Sequence, residues 1–234
     1  MSGGEPLAAE AIAGRLAGVR GRIAAACERS GREPSSVTLV AVSKTWPAAT
    51  VLAAMEAGLR DFGENRVQEG VAKAAAVALA SAGRASDDPT WHLVGHLQTN
   101  KVGAALGTFA ILHAVDSERL LRAIDAAASQ PVPLMIEVNV AAEPTKYGIA
   151  PEQLPGLLAA ARALPRIEAR GLMTVAPRVP APEEARPVFR ELRTLAARNG
   201  LEELSMGMTE DFEVAIEEGA THIRVGRALF GERI

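Results

Sequence analysis

An amine that attacks a carbonyl has few possible sources in this chain. Among 25 lysines and arginines, the lysines are Lys44, Lys73, Lys101 and Lys146. Lys44 directly follows a short, valine-rich apolar run over residues 37–43. An ammonium at the end of a buried strand must lose hydration or find a partner. Burial lowers its pKa toward the neutral amine that forms imines. The other reading of the same position is a lysine snorkelling from a rim into water. Position alone leaves both open. Lys73 lies within a helical stretch and reads as a surface residue. Lys101 and Lys146 fall in or after loops and read as solvated, although either could meet an incoming phosphate.

A second group of residues lies near the C-terminus. Ser205-Met206-Gly207-Met208-Thr209 and Arg224-Val225-Gly226-Arg227 follow short apolar runs. Gly226 would let the backbone approach a phosphate, with N–H groups of a short following helix pointing toward it. The plain alternative is a pair of tight turns. His92 and His96 have the spacing of a helical metal pair, but they fall in a strand reading. Four residues of strand span roughly 13 Å, too far for one metal to bridge. Glu64 and Glu69 bracket Asn65 and Arg66, as a solvated helix start or a site would. Cys27 shares a helical face with Ile12, Leu16, Val19 and Ile23 and reads as a buried, inert thiol. No Walker loop, GxGxxG, HExxH or GxSxG pattern occurs.

These residues need a scaffold that gathers them. Residues 8–29 form an amphipathic helical pattern closed by Ser30-Gly31. Strand and helix patterns then alternate. Strands are expected over residues 37–43, 59–64, 91–95, 109–115, 133–140, 167–175, 203–208 and 222–226. Pro47 opens the first intervening helix, Ser117 can cap a later one, and Thr209 can cap the one before the last strand. Residues 81–89 are Gly, Ser, Asp and Pro and read as a loop. Eight alternations in 234 residues predict a single (β/α)8 TIM barrel, an α/β fold, with an extra N-terminal helix. Residues 1–36 are the helix and lead-in, and residues 37–234 the barrel. A doubly wound open sheet is the runner-up. In a barrel the reactive groups sit at the carboxyl ends of strands. Lys44, Asn65, His96, Asp116, Asn139, Thr174, Ser205 and Arg224 all fall at or near such ends.

Composition removes other classes. The net charge of −3 provides no polybasic surface for nucleic acid or acidic membranes. No apolar run of about 18 residues predicts a membrane span, and the first thirty residues lack a signal core. With a lone cysteine, these features lead to the expectation of a cytoplasmic protein.

The motifs taken in order are similar to one family. Val42-Ser43-Lys44-Thr45 with Pro47, residues 62–69 (FGENRVQE), and Trp91 to Gly95 followed by Leu97 to Lys101 open the series. Glu143 with Lys146 and Gly148, Gly171 to Thr174, Leu204 to Asp211, and Arg224-Val225-Gly226 complete it. From the first strand to the C-terminus the chain resembles the pyridoxal phosphate homeostasis proteins, relatives of the barrel domain of bacterial alanine racemase. The resemblance implies pyridoxal 5′-phosphate as cofactor, held as a Schiff base on Lys44. It implies that Ser205, Gly207 and the Gly226–Arg227 turn cradle the phosphate, that Arg224 faces the pyridine nitrogen, and that Asn65 and Met173 lie near the cofactor. Thr209 stands where the family usually has serine, and Arg227 where a small hydroxyl residue is frequent.

An arginine at the pyridine nitrogen leaves it unprotonated and weakens the electron sink. Racemases with that arrangement add a tyrosine base from another domain. Here the one tyrosine is Tyr147, in a loop, and the chain stops soon after the eighth strand. The resemblance therefore implies a monomeric, non-catalytic carrier that buffers the cofactor or delivers it to apo-enzymes. The alternatives are a weak racemase or transaminase-like enzyme using Tyr147 or His96 as base, and a cofactor-free aldolase using Lys44.

Overall fold

The computed structural model describes residues 7–81 and 88–232. Its strands are β1 (Thr38–Val42), β2 (Asp61–Glu64), β3 (Thr90–Leu93), β4 (Ile111–Val115), β5 (Val132–Glu137), β6 (Ile167–Met173), β7 (Glu203–Ser205) and β8 (His222–Val225). Each pairs in parallel with its successor, and β8 returns to β1 over Thr38↔His222 to Ala41↔Val225. The sheet is a closed barrel, so the open-sheet alternative falls. Short Val- and Ile-rich strands suit this arrangement because both faces are covered, one by helices and one by the barrel interior.

Helix α1 (Ala9–Ser30) precedes the barrel and buries Ile12, Leu16, Val19, Ile23 and Cys27 on one face. It ends as expected at Gly31, whose φ of 65° is the left-handed position that glycine tolerates. The helices between and after the strands are α2 (Ala48–Glu56), α3 (Val67–Ala80), α4 (Val102–Leu106), α5 (Glu118–Ala127), α6 (Leu154–Arg162), α7 (Arg186–Arg198), α8 (Phe212–Glu217) and α9 (Arg227–Phe230). Ser117 caps α5 by accepting the Leu120 N–H.

Several elements differ from the sequence expectation. Four strands stop two or three residues short of their expected carboxyl ends, because the chain leaves the sheet where the loops of the barrel mouth begin. They are β3 at Leu93, β5 at Glu137, β6 at Met173 and β7 at Ser205. Thr209 caps nothing. The helix begins at Phe212, and Asp211 accepts the Met208 N–H at 2.6 Å, closing a turn before it. Of the expected loop 81–89, residues 82–87 lie outside the described residues.

The main core lies between strands and helices. A separate small cluster of Ala114, Met135 and Met173 forms away from it. In β4, Leu112 and Val115 both belong to the main core although they are three residues apart. Strict alternation forbids that, and a register shift between them accommodates it. The bulge turns both His113 and Ala114 away from the outer core.

Candidate functional site

The expected site residues occupy adjacent strand ends. Met173, Ser205, Arg224, Lys44 and Asn65 lie at or just beyond the ends of β6, β7, β8, β1 and β2, and these strands are neighbours around the barrel. Lys44 is half-buried in the turn after β1. Met173 pairs in register with Ser205, and both are buried. Arg224 is also buried. One of its N–H groups donates to Ser205 Oγ at 2.7 Å and another to the Thr174 carbonyl at 2.8 Å. Two fixed donors set the plane of the guanidinium. Burial pushes its pKa down to about 10, with Glu137 and Asp211 pulling the other way, so it stays cationic at neutral pH.

The two glycine turns stand beside these groups. Gly207 has φ of 90°, and a Cβ there would lie 2.6 Å from Ala215 Cβ and 2.9 Å from Phe212 Cα. A Cβ on Gly226 would lie 3.2 Å from the Val42 carbonyl oxygen, two residues before Lys44. The chain therefore folds tightly against the Lys44 strand at that point. Arg227 is exposed and turns its guanidinium to Glu210 at 2.9 Å, so its side chain faces the surface. The Ser205 hydroxyl is used inside the barrel, where it meets both Arg224 and His113.

That second contact belongs to a chain that sequence reasoning missed. Asp61 Oδ1 lies 3.0 Å from His92 Nε2, and His92 Nδ1 lies 3.0 Å from His113 Nε2. His113 Nδ1 lies 2.8 Å from Ser205 Oγ. With both rings neutral and the carboxylate accepting, one assignment satisfies every atom. Arg224 donates to Ser205, Ser205 to His113, His113 to His92, and His92 to Asp61. The guanidinium that faces the site is thus braced by a one-directional chain through the barrel. His222 packs its ring against both His92 and His113. The available signal was the clustering of His92, His113 and His222 in strand readings, but their contacts depend on register and on the β4 bulge.

The buried titratable groups oppose one another. Burial holds His113 well below the ordinary histidine value and pushes His222 down to about 4. The unfolded chain binds more protons there below pH 6.5, so both histidines withdraw stability as pH falls, His222 down through about 4. Glu137 is pushed up to about 7 by burial, against the pull of Arg224. Its contribution is fully present below 4.5 and is lost as pH rises through 7. At 1.36 kcal/mol per pH unit, the His222 gap alone is worth roughly 3 kcal/mol. His222→Gln should therefore flatten the acid limb of Tm against pH between 6.5 and 4. An unchanged slope would contradict a neutral, buried His222.

The remaining candidates stand elsewhere on the barrel mouth. His96 Nδ1 lies 3.3 Å from Asp116, and its ring stacks on the exposed Tyr147 with centroids 4.4 Å apart. Asn139 holds the following loop through its hydrogen bonds with Glu143. Lys146 donates to the Val175 and Ala176 carbonyls and pairs with Glu143. Lys73 is a correction. It is buried, not surface, and its ammonium pairs with Glu64 at 2.5 Å. Its helical spacing resembled that of a solvated residue because two of its partners, the Ser43 carbonyl just past β1 and Glu64 on β2, lie outside its own helix. Among the described residues, no group of three or more acidic, histidine or cysteine side chains is placed to hold a metal ion. No helix among them is long and apolar enough to cross a membrane.

The architecture defines a parallel β/α barrel carrying an amine at the end of its first strand and a buried guanidinium on its eighth. The family described as "Alanine racemase, N-terminal domain" matches residues 15–234. The chain belongs to that family and, within it, to the pyridoxal phosphate homeostasis proteins. A protein of that name from Aquifex aeolicus is 42% identical over 228 residues, covering 94% of this chain and 97% of the relative. PipY of Synechococcus elongatus, solved without and with pyridoxal phosphate bound, is 40% identical and covers 94% of this chain, with TM-scores of 0.82 and 0.78. All of the PipY chain is matched in both structures. An alanine racemase from Corynebacterium glutamicum shares the fold at a TM-score of 0.70 and 19% identity. That match covers 97% of this chain and 62% of the racemase.

Proposed function

We propose that this chain binds pyridoxal 5′-phosphate covalently through Lys44 and stores or hands it on without turning over a substrate. The observation that carries the reading is the place of Lys44, a half-buried residue just past the carboxyl end of β1, next to the strand that presents Arg224. The donor set fits the cofactor. Arg224 supplies a fixed N–H donor for the pyridine nitrogen, and Gly207 with the Gly226–Arg227 turn supplies backbone N–H groups for the phosphate. Ser205 serves by orienting Arg224, since its hydroxyl is committed inward. Met173, at the end of β6, and Asn65, just past β2, would lie near the bound ring. When bound, the cofactor supplies an aldehyde that condenses reversibly with a neutral amine, releasing one water.

Two features favour holding over catalysis. A buried arginine, unlike a carboxylate, does not protonate the pyridine nitrogen. Tyr147, the one tyrosine, is 61% exposed and its ring is stacked on His96. The relatives' name and the ligand of PipY support the same reading. It takes the protein as a cytoplasmic monomer that supplies apo-enzymes needing the cofactor.

The test is to mix purified protein with pyridoxal 5′-phosphate, reduce with borohydride, and map the modified peptide. The label should fall on the peptide containing Lys44. Incubating the loaded protein with a panel of amino acids in D2O should give α-hydrogen exchange no faster than the free cofactor does. Exchange far above that rate would mean a weak racemase or transaminase-like enzyme.

A further inference from the structure

The turn that carries Lys44 is strained, and a buried charge cluster holds it from both sides. Thr45, directly after the lysine, has φ of 68°. A β-branched residue rarely enters that left-handed region, and it persists there only where the surroundings over-determine it. The Ser43 carbonyl accepts the Trp46 N–H at 3.0 Å, so Lys44 and Thr45 are the two central residues of a tight turn.

The groups that hold this turn come from β2 and α3. Lys73 donates to the Ser43 carbonyl at 2.7 Å, gripping the peptide before Lys44. The Thr45 N–H donates to Glu69 Oε1, gripping the peptide after it. Lys73 also pairs with Glu69 at 3.2 Å and with Glu64 at 2.5 Å, and the Ser43 hydroxyl donates to Glu64 at 2.6 Å. The Lys73 side chain is 5% exposed and that of Glu64 is 0% exposed. A charge pair buried this deeply is weak evidence for stability as such, since apolar replacements often serve as well. Its specific use here is that each peptide flanking Lys44 is bonded to a charged group on one helix.

We infer that Glu69 and Lys73, with Glu64 beneath them, are positioning residues that hold the Lys44–Thr45 turn in its left-handed form and so aim the Lys44 amine. This inference rests on the reading of Lys44 as the cofactor-binding lysine. Neither peptide bond would be held by helix propensity or apolar packing alone. The Glu69 carboxylate gives the Thr45 N–H a protein acceptor at the residue that carries φ of 68°.

Substitutions at two positions separate positioning from general stability. Glu69→Ala removes the acceptor for Thr45, whereas Glu69→Gln keeps one. Thr45→Gly removes the steric cost of the left-handed conformation, so the turn no longer needs the carboxylate. In the protein without cofactor, the Thr45 amide should lose hydrogen-exchange protection in Glu69→Ala and retain most of it in Glu69→Gln. With pyridoxal 5′-phosphate, Glu69→Ala should weaken the borohydride-reducible Lys44 adduct by about tenfold, the scale set by local backbone strain. The double variant Thr45→Gly/Glu69→Ala should bind more tightly than Glu69→Ala alone. Label on Lys44 in the wild type, with Glu69→Ala changing neither protection nor affinity, would overturn the inference and leave the binding reading intact. So would a double variant no tighter than Glu69→Ala. Label on another residue in the wild type would overturn the binding reading, and the inference with it.

Discussion

Lys44→Ala should abolish the borohydride-reducible adduct and weaken retention of pyridoxal 5′-phosphate by at least about a hundredfold, since only non-covalent contacts remain. No nearby lysine is placed to substitute. Lys73 is buried and bonded to Glu64 and the Ser43 carbonyl. Lys146 is occupied by the Val175 and Ala176 carbonyls and by Glu143. The Arg224 donor and the glycine turns remain in the variant, so weak binding of the phosphate and ring should survive without the spectral signature of a carbon–nitrogen double bond. Lys44 is half-buried at the end of a strand, so its truncation should move Tm by only a few degrees. Absorbance spectra before and after borohydride, with equilibrium dialysis, measure both effects. A reducible adduct that persists in Lys44→Ala would sink the assignment of Lys44.

Lys73→Ala should be among the most destabilising single changes, at about 3–5 kcal/mol near neutral pH, because it leaves the Glu64 carboxylate buried without its cation. The Glu64 carboxyl already sits above its ordinary range through burial, with Lys73 holding it down. A folded-state pKa above the unfolded one means stability that is present below the unfolded value and is lost as pH rises through the folded value. Removing Lys73 raises that folded value further. The penalty should therefore be full at pH 8 and ease toward pH 5, as Glu64 takes up a proton. Urea unfolding at the two pH values measures it. Adding Glu64→Gln should recover part of the loss, because the uncompensated charge is then gone. Equal destabilisation at both pH values would show that the pair is not charge-coupled in this way.

These effects differ in how far the sequence foretold them. The barrel was legible because parallel strands covered on both faces become short apolar runs between amphipathic helices. Lys44, Asn65, Ser205 and Arg224 were legible as a group because the carboxyl ends of barrel strands converge on one mouth. The end of each strand in the sequence is thus also its position around a ring. Lys73 was misread because its spacing suits a solvated helix face, while its partners Ser43, just past β1, and Glu64, on β2, lie 30 and 9 residues away. The His113 contact with Ser205 spans 92 residues and depends on a bulge that no alternation pattern announces.

The amine, the arginine and the glycine turns were therefore set by local sequence, through strand ends and backbone conformations that need little beyond nearest neighbours. Their aim was decided by the closed barrel. Arg224 is oriented by a hydrogen-bonded chain that exists only once β2, β3, β4 and β7 are in register. The Lys44 turn is held left-handed only once α3 brings Glu69 and Lys73 against it. Alternation and propensity act over a few residues, whereas these charge-assisted bonds join groups that approach one another only when the sheet closes.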